Sequence, residues 1–140
     1  MCIRDSFGTK KNNITAFQWY EKAAKQDHLL SQLFLAYLYK KGLGVPLNLD
    51  KAFYWTKQAT SHNHPIAYYQ LALMYRHGKG TPKNVKEAYI SGLIAKSLFQ
   101  SKDMKENTET FLSELGKSLL PDELSHYNEL AAKRLNPASP

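Results

Sequence analysis

The chain has 140 residues and a mass of 16.0 kDa, which is room for one ordinary domain. Hydrophobic residues make up 43% and charged residues 22%, values typical of a soluble globular protein that exclude a disordered tail. One cysteine, Cys2, excludes an internal disulfide framework and a cysteine zinc site, and no apolar stretch is long enough to span a membrane. The basic surplus lies in residues 1–100, whereas residues 101–140 are weakly acidic. Such a surplus indicates an acidic partner, nucleic acid or anionic lipid, or serves solubility alone.

The most informative feature is an internal repeat of 36 residues. At this offset Trp19 aligns with Trp55, Tyr39 with Tyr75, and both Leu-Ala pairs coincide. Further columns hold identical small or turn residues: Ala16, Ala52 and Ala88; Ala23, Ala59 and Ala95; Gly42 and Gly78; Gly44 and Gly80; Pro46 and Pro82; Asn12, Asn48 and Asn84. A fixed period of this length predicts stacked supersecondary units.

In chain order, residues 1–6 do not fit a first helix, and we expect a truncated or artificial start from which a signal sequence would be lost. This expectation leaves a cytoplasmic, periplasmic or secreted location open. Residues 7–27 correspond to the second half of a repeat. Residues 28–62 and 63–99 each predict a complete helix, turn and second helix.

Within these two repeats, apolar residues recur at helical spacing. The first helices are expected to bury Leu35, Leu38 and Tyr39, and then Leu71, Met74 and Tyr75. The second helix of residues 28–62 places Ala52, Trp55, Thr56 and Ala59 on one stripe, and most aromatic residues are assigned to the core. The Gly-x-Gly turns are expected to end helices with positive φ. Asn48 and Asn84 suit N-caps, with Glu87 in capping-box register.

Residues 102–136 do not continue the repeat register. A helical pattern over 105–119 and a second helix that opens at Pro121 predict a C-terminal cap, because the end of a repeat array must cover an apolar face. The second cap helix is expected to bury Leu124, Tyr127, Leu130, Ala131 and Leu135. No pattern of alternating residues predicts a strand.

No catalytic, metal or cofactor site is predicted. The Gly-x-Gly turns lack the strand and Gly-Lys-Ser/Thr ending of a phosphate loop. His62 and His64 could suggest a metal, but His64 is the repeat equivalent of His28, which favours an architectural role. Ser61 beside two histidines lacks triad geometry, and the adjacent acids 122 and 123 point in different directions on a helix.

The strings Trp19–Ala24, Leu71–Tyr75 and Gly78–Asn84 closely resemble the Sel-one-like repeat, a relative of the tetratricopeptide repeat. The resemblance covers about residues 7–99 and implies an all-α fold, a right-handed α/α superhelix with a helical cap. Ser91 stands where this family's pattern has tryptophan, so we expect looser packing there.

The resemblance also implies a function. Proteins with these repeats typically act as adaptors, so we expect a monomeric, non-enzymatic protein–protein interaction scaffold for a protein or peptide, with an acidic partner favoured by the charge. The alternatives are a bacterial hydrolase or penicillin-interacting protein of the repeat family, and nucleic-acid binding by the basic region, which we consider the weaker one.

By the same resemblance, the first helix of each pair lines a concave binding surface. The free faces of these helices would present Leu33, Tyr37, Lys40, Lys41, Tyr69, Leu73, Arg76 and His77. Apolar residues that lead to a cationic pair suit an extended peptide with a carboxylate. The competing interpretation needs no ligand, because cations in a last helical turn are favoured by the helix dipole.

Overall fold

A computed structural model describes residues 10–135 of the chain, and the expected atypical start at residues 1–6 lies outside them. The described elements are seven α-helices and a short 3₁₀ turn, with no strand among them. They are α1 (Lys10–Lys25), α2 (Leu29–Lys41), α3 (Leu49–Ala59), the 3₁₀ turn (Thr60–His62), α4 (Pro65–His77), α5 (Val85–Leu98), α6 (Lys102–Gly116) and α7 (Pro121–Leu135). The all-α fold of helix–turn–helix pairs is confirmed. No described helix has the length and apolar character needed to cross a membrane.

The helices form two compact units, and each is described by itself. The first unit runs to Ala59, and the second extends from Thr60 onwards. In the first unit α2 packs against both α1 and α3. In the second unit α5 packs against α4, α6 and α7, and it is therefore the central helix of that unit.

The turns after α2 and α4 are built alike, as the sequence predicts. Gly42 and Gly78 adopt φ of 70° and 67°, and the next glycine of each turn is also left-handed. This conformation lets the Gly42 and Leu43 amides both donate to the Leu38 carbonyl. Asn48 then accepts a hydrogen bond from the Lys51 amide and caps α3. The turns connect helices, and their glycines provide the positive φ that these connections require.

Helix starts use histidine in an unexpected way. His28 Nδ1 accepts from the Ser31 amide at 3.2 Å, and His64 Nδ1 accepts from the Ile66 amide at 3.2 Å. The residue before each histidine, Asp27 or Asn63, has positive φ, which these two residue types tolerate better than most. The architectural role predicted for His64 and its repeat equivalent His28 is confirmed, because both residues cap the N-terminus of a helix.

The buried residues of the first unit are mostly small. Leu35, Leu38 and Tyr39 are buried as predicted, together with the alanines of the α3 stripe. Burial of the Tyr39 ring raises the pKa of its hydroxyl. The prediction that most aromatic residues belong to the core is wrong for several positions in this unit. Trp19 is 69% exposed, and Trp55 is only partly buried, with its ring edge-to-face with Tyr54.

The second unit has a larger core because α6 and α7 cover α5. Ile90, Ile94, Tyr127 and Ala131 form one buried cluster, and Phe111, Leu112 and Leu115 of α6 join Ala72 and Ala88 in another. Ser91, where we expect looser packing, is only 2% exposed and is therefore buried despite its small side chain. Beside it, a Cβ on Gly92 would lie 2.8 Å from Leu112 Cδ2. Small residues here allow α6 to approach α5 closely.

An ion pair that the sequence pattern does not indicate also joins the last helix to α5. Asn84 accepts from the Glu87 amide, as a capping box requires. The carboxylate of Glu87, however, accepts two hydrogen bonds from Arg134 at 2.8 and 3.0 Å. These bonds raise the pKa of Arg134. The paired donors of a guanidinium match the carboxylate, so α7 is held on the first turn of α5.

Candidate partner-binding face

The four predicted site residues of the first unit lie on one side of α2. Tyr37 is 48% exposed, Leu33 is partly buried, and Lys40 and Lys41 are exposed in the last turn. The opposite side of α2 carries Leu35 and Tyr39 and is buried. The helix therefore presents apolar and cationic side chains outward, as its residue spacing predicts.

Two further residues belong to this side of α2 and are missing from the sequence prediction. Leu30 and Phe34 are 56% and 48% exposed, and with Tyr37 and Lys41 they are spaced four, three and four residues apart. This spacing places them in one line along the helix. The Phe34 ring stacks on Tyr20 of α1 with 5.0 Å between centroids. The repeat comparison gives no sign of Phe34, because its equivalent is Gln70; the three- and four-residue spacing alone could have found it.

We refer to these six residues as the α2 face: Leu30, Leu33, Phe34, Tyr37, Lys40 and Lys41. It is an exposed apolar line that ends in two positive charges. An exposed apolar line of this kind makes the α2 face a candidate contact surface.

The predicted residues of the second unit have a different environment. Tyr69 and Leu73 are partly buried and pack against the cluster that contains Phe111 of α6. The Arg76 guanidinium lies 5.2 Å from the centre of the Phe111 ring and donates a 2.9 Å hydrogen bond to Glu114. Arg76 therefore already has an anionic partner within the chain, whereas His77 is exposed.

The structure thus treats the two sets of predicted residues unequally. Each set lies on the first helix of its pair, as the repeat register requires. The set on α4 is contacted by α6, and the set on α2 forms an exposed face within its own unit. Binding by either set stays a prediction.

The helix dipole alone also favours the two lysines of α2. Two of the four terminal carbonyls of this helix already have donors, however, because Leu38 accepts from the turn amides and Tyr39 accepts from the Asn48 amide. The remaining dipole interaction contributes about 0.3–1 kcal/mol per exposed charge. It explains the position of Lys40 and Lys41 but not the apolar line that leads to them.

Metal-ligating side chains do not cluster among the residues that the structure describes. Within residues 10–135, the side chains that the structure describes include no group of three or more metal ligands. A groove of about 710 Å³ between α5, α6 and α7 is lined by Tyr89, Leu93, Lys96, Glu109 and Leu112, among others. Its Lys96 and Glu109 form an ion pair with each other at 3.2 Å.

Comparison with known proteins agrees with this architecture. The family model of the Sel1 repeat matches residues 1–28, 29–64 and 65–90. A crystal structure of a Sel1 repeat protein from Oxalobacter formigenes superimposes with a TM-score of 0.68 and 26% identity, over 86% of this chain and 50% of that one. A protective antigen of uropathogenic Escherichia coli with an SLR fold gives a TM-score of 0.77 and 22% identity, over 94% of this chain and 27% of that one.

The chain therefore spans about half of the first of these structures and about a quarter of the second. No curated protein sequence matches. The likeness to the second structure shows the fold alone.

Proposed function

The chain belongs to the Sel1 repeat family, and from this premise we propose that it is an interaction scaffold that holds a protein or peptide segment on the α2 face. Members of the family are commonly protein-interaction scaffolds. A helical repeat offers extended, rigid faces, which suit macromolecular segments better than small substrates.

The observation that carries the proposal is the combination of exposure and charge on α2. Leu30, Phe34 and Tyr37 are each about half exposed and lie in line, which is the kind of apolar strip that protein partners cover. Aromatic side chains are enriched in such contacts because they bury a large area with few rotatable bonds.

The charge of the same unit favours an acidic partner. Residues 10–59 contain eight Lys and three Asp or Glu, with two of the lysines at the end of the α2 face. Opposite charge speeds encounter and selects against wrong partners even where each pair adds little affinity.

We propose binding rather than catalysis because the histidines and glycines that could suggest a reactive site have structural roles. His28 and His64 cap helices through Nδ1, and the Gly-x-Gly turns end them. The alternative of nucleic-acid binding is less well supported. A phosphate backbone is contacted by cations and hydrogen-bond donors, and it requires no exposed apolar line next to the lysines.

The test is to select binders to the purified chain from a library of random displayed peptides. The affinities of single selected peptides are then measured. Reversal of both charges, Lys40→Glu with Lys41→Glu, is expected to weaken binding at least tenfold, or about 1.4 kcal/mol. The matched control is Lys22→Glu with Lys25→Glu on α1, which makes the same charge change in the same unit and should leave affinity unchanged. Circular dichroism checks that both variants keep their helices.

Equal weakening by the two pairs of substitutions would show a general charge effect, and no weakening by the α2 pair would place the site elsewhere. The variant Arg76→Glu is unsuitable for this test because it removes the internal partner of Glu114.

A further inference from the structure

A groove in the second unit separates α6 from α7 and has α5 as its floor. Its larger part has a volume of about 710 Å³, and an adjoining part of about 470 Å³ shares Leu93, Lys96 and Asn128 with it. The two parts therefore form one continuous groove along α5, which we call the α5 groove. Its size is within the range of protein ligand sites.

The α5 groove is closed at one end and open at the other. A Cβ on Gly116, the last residue of α6, would lie 3.7 Å from Leu124 of α7 and 3.7 Å from Tyr89 of α5, so the three helices converge there. Leu135, the last residue of α7, lines the far end. Between these ends α6 and α7 each pack on α5, and neither packs extensively on the other. A partner helix needs an axis 8–10 Å from its neighbours along its length, which a wedge does not provide, whereas an extended segment is thinner.

Apolar side chains form the bottom of the α5 groove, and polar side chains form its rim. Leu112 is buried, and Tyr89, Leu93 and Leu124 are partly buried. The rim residues are all exposed: Lys105, Ser113, Lys117 and Asn128. This division suits an extended chain, because its successive side chains point to opposite sides.

The charged residues that line the α5 groove are mostly cations. Lys96, Lys105 and Lys117 line it, against one acid, Glu109. Glu109 is already used within the chain, because it pairs with Lys96 at 3.2 Å. Lys105 and Lys117 form no ion pair with the residues that the structure describes. The charge of the groove is therefore complementary to an acidic partner.

The rim also offers hydrogen-bonding groups to a peptide backbone. Asn128 donates from Nδ2 to the Leu124 carbonyl at 2.7 Å, and its Oδ1 stays available as an acceptor. The Ser113 hydroxyl of α6 is exposed and can donate or accept. Polar groups on both walls match a peptide, whose backbone carries a donor and an acceptor at nearly every residue.

We propose that the α5 groove binds an extended peptide segment in which apolar and acidic side chains alternate. The apolar side chains enter the bottom of the groove, and the acidic ones meet Lys105 and Lys117 at the rim. From Tyr89 to Ser97 the floor advances by eight residues of α5, or about 12 Å at 1.5 Å per residue. About four residues of an extended chain cover this length. The inference goes beyond the proposed function, because it gives the second unit a binding site of its own.

The test is a titration of the isotope-labelled full chain with defined peptides, followed by nuclear magnetic resonance. The first peptide is acetylated and amidated Leu-Asp-Leu-Asp-Leu, and the second replaces both Asp with Asn. The third has the composition of the first in the order Leu-Leu-Leu-Asp-Asp. With the first peptide, saturable shifts are expected at the amides of Leu93, Ser113 and Asn128. The second and third should bind at least about fivefold more weakly, because one lacks the charge and the other lacks the alternation.

Charge variants of the chain distinguish this groove from a general charge effect. Lys105→Glu should weaken binding of the first peptide about fivefold, whereas Lys102→Glu, on the same helix but outside the groove, is the matched control. Glu109→Gln should strengthen binding about threefold, because it removes the one acid of the lining and releases Lys96. Its matched control, Glu106→Gln, makes the same charge change on α6 outside the lining and should leave affinity unchanged.

Four results would overturn the inference. The absence of saturable shifts with any peptide would show that the groove is not a peptide site. Equal binding of the neutral or the reordered peptide would contradict the acidic or the alternating partner. Shifts confined to α2 would place the peptide on the α2 face, which supports the proposed function and not the groove. Shifts of the groove amides when the chain alone is concentrated would assign the groove to a second copy.

Discussion

The two units are built from the same repeat, yet they bury it to different extents. Among the described residues, all but two of the large exposed apolar side chains lie in the first unit. They are Ile14, Trp19, Leu30, Phe34, Tyr37, Leu47 and Tyr54, against Ile66 and Leu120 in the second unit. In the second unit α6 and α7 both pack on α5, and they cover apolar side chains that the repeat itself would leave exposed.

Single repeat positions show what this difference means. Tyr54 on α3 is 54% exposed, whereas its equivalent Ile90 on α5 is fully buried beside Tyr127 and Ala131 of α7. Thr56 and its equivalent Gly92 are both buried, but the glycine is contacted by α6. Position in the repeat thus fixes where a side chain points, and the neighbouring helix of the unit fixes whether it is buried.

The largest expected effect is the difference in stability between substitutions at the equivalent positions Ile90 and Tyr54. Ile90→Ala should lower the free energy of unfolding by about 2–5 kcal/mol, because it leaves a cavity under α7. Tyr54→Ala should change it by less than about 1 kcal/mol, because most of that ring is in solvent. Urea denaturation of both variants measures the difference. Comparable losses at the two positions would mean that Tyr54 is covered and would contradict the contrast between the units.

A second contrast concerns two glycines in the second unit. Gly92→Ala should cost about 1 kcal/mol, the low end for overpacking, because the added Cβ would press on the buried Leu112 and Phe111 side chains of α6 while alanine itself favours the helix. Gly116→Ala is the matched control, since its Cβ would meet its neighbours at 3.7 Å, an ordinary contact. This control should be neutral or stabilise the protein by up to about 1 kcal/mol, because alanine restricts the unfolded chain. Thermal unfolding followed by circular dichroism compares the two, and an equal fall in melting temperature would argue against close packing at Gly92.

The smallest expected effect is on local opening of the first unit. The α1 helix buries Ala24 but exposes Ile14 and Trp19, whereas α5 is covered by helices of its own unit on several sides. Amide hydrogens of α1 should therefore exchange at least about tenfold faster than those of α5. Native-state hydrogen exchange with mass spectrometry measures this ratio. Equal protection would show that α1 is held by contacts outside those described within its unit.

Much of the architecture could be predicted from the sequence because it depends on local chemistry repeated at a fixed interval. The 36-residue period, the glycines at positive φ and the asparagine caps each follow from what a few neighbouring residues can do. The buried line of α2 follows from helical spacing in the same way.

The tertiary structure alone decided which of the repeated surfaces is covered. Trp19 and Trp55 share a repeat position and an expectation of burial, yet one is largely exposed and the other partly buried. Glu87 fits a capping box by spacing, but its carboxylate binds Arg134, which lies 47 residues away in the chain. Arg76 and Lys40 are equivalent in sequence, and only Arg76 meets a carboxylate of α6. Spacing determines the direction of a side chain from its own helix, whereas burial and ion pairing depend on residues distant in sequence, which no local pattern specifies.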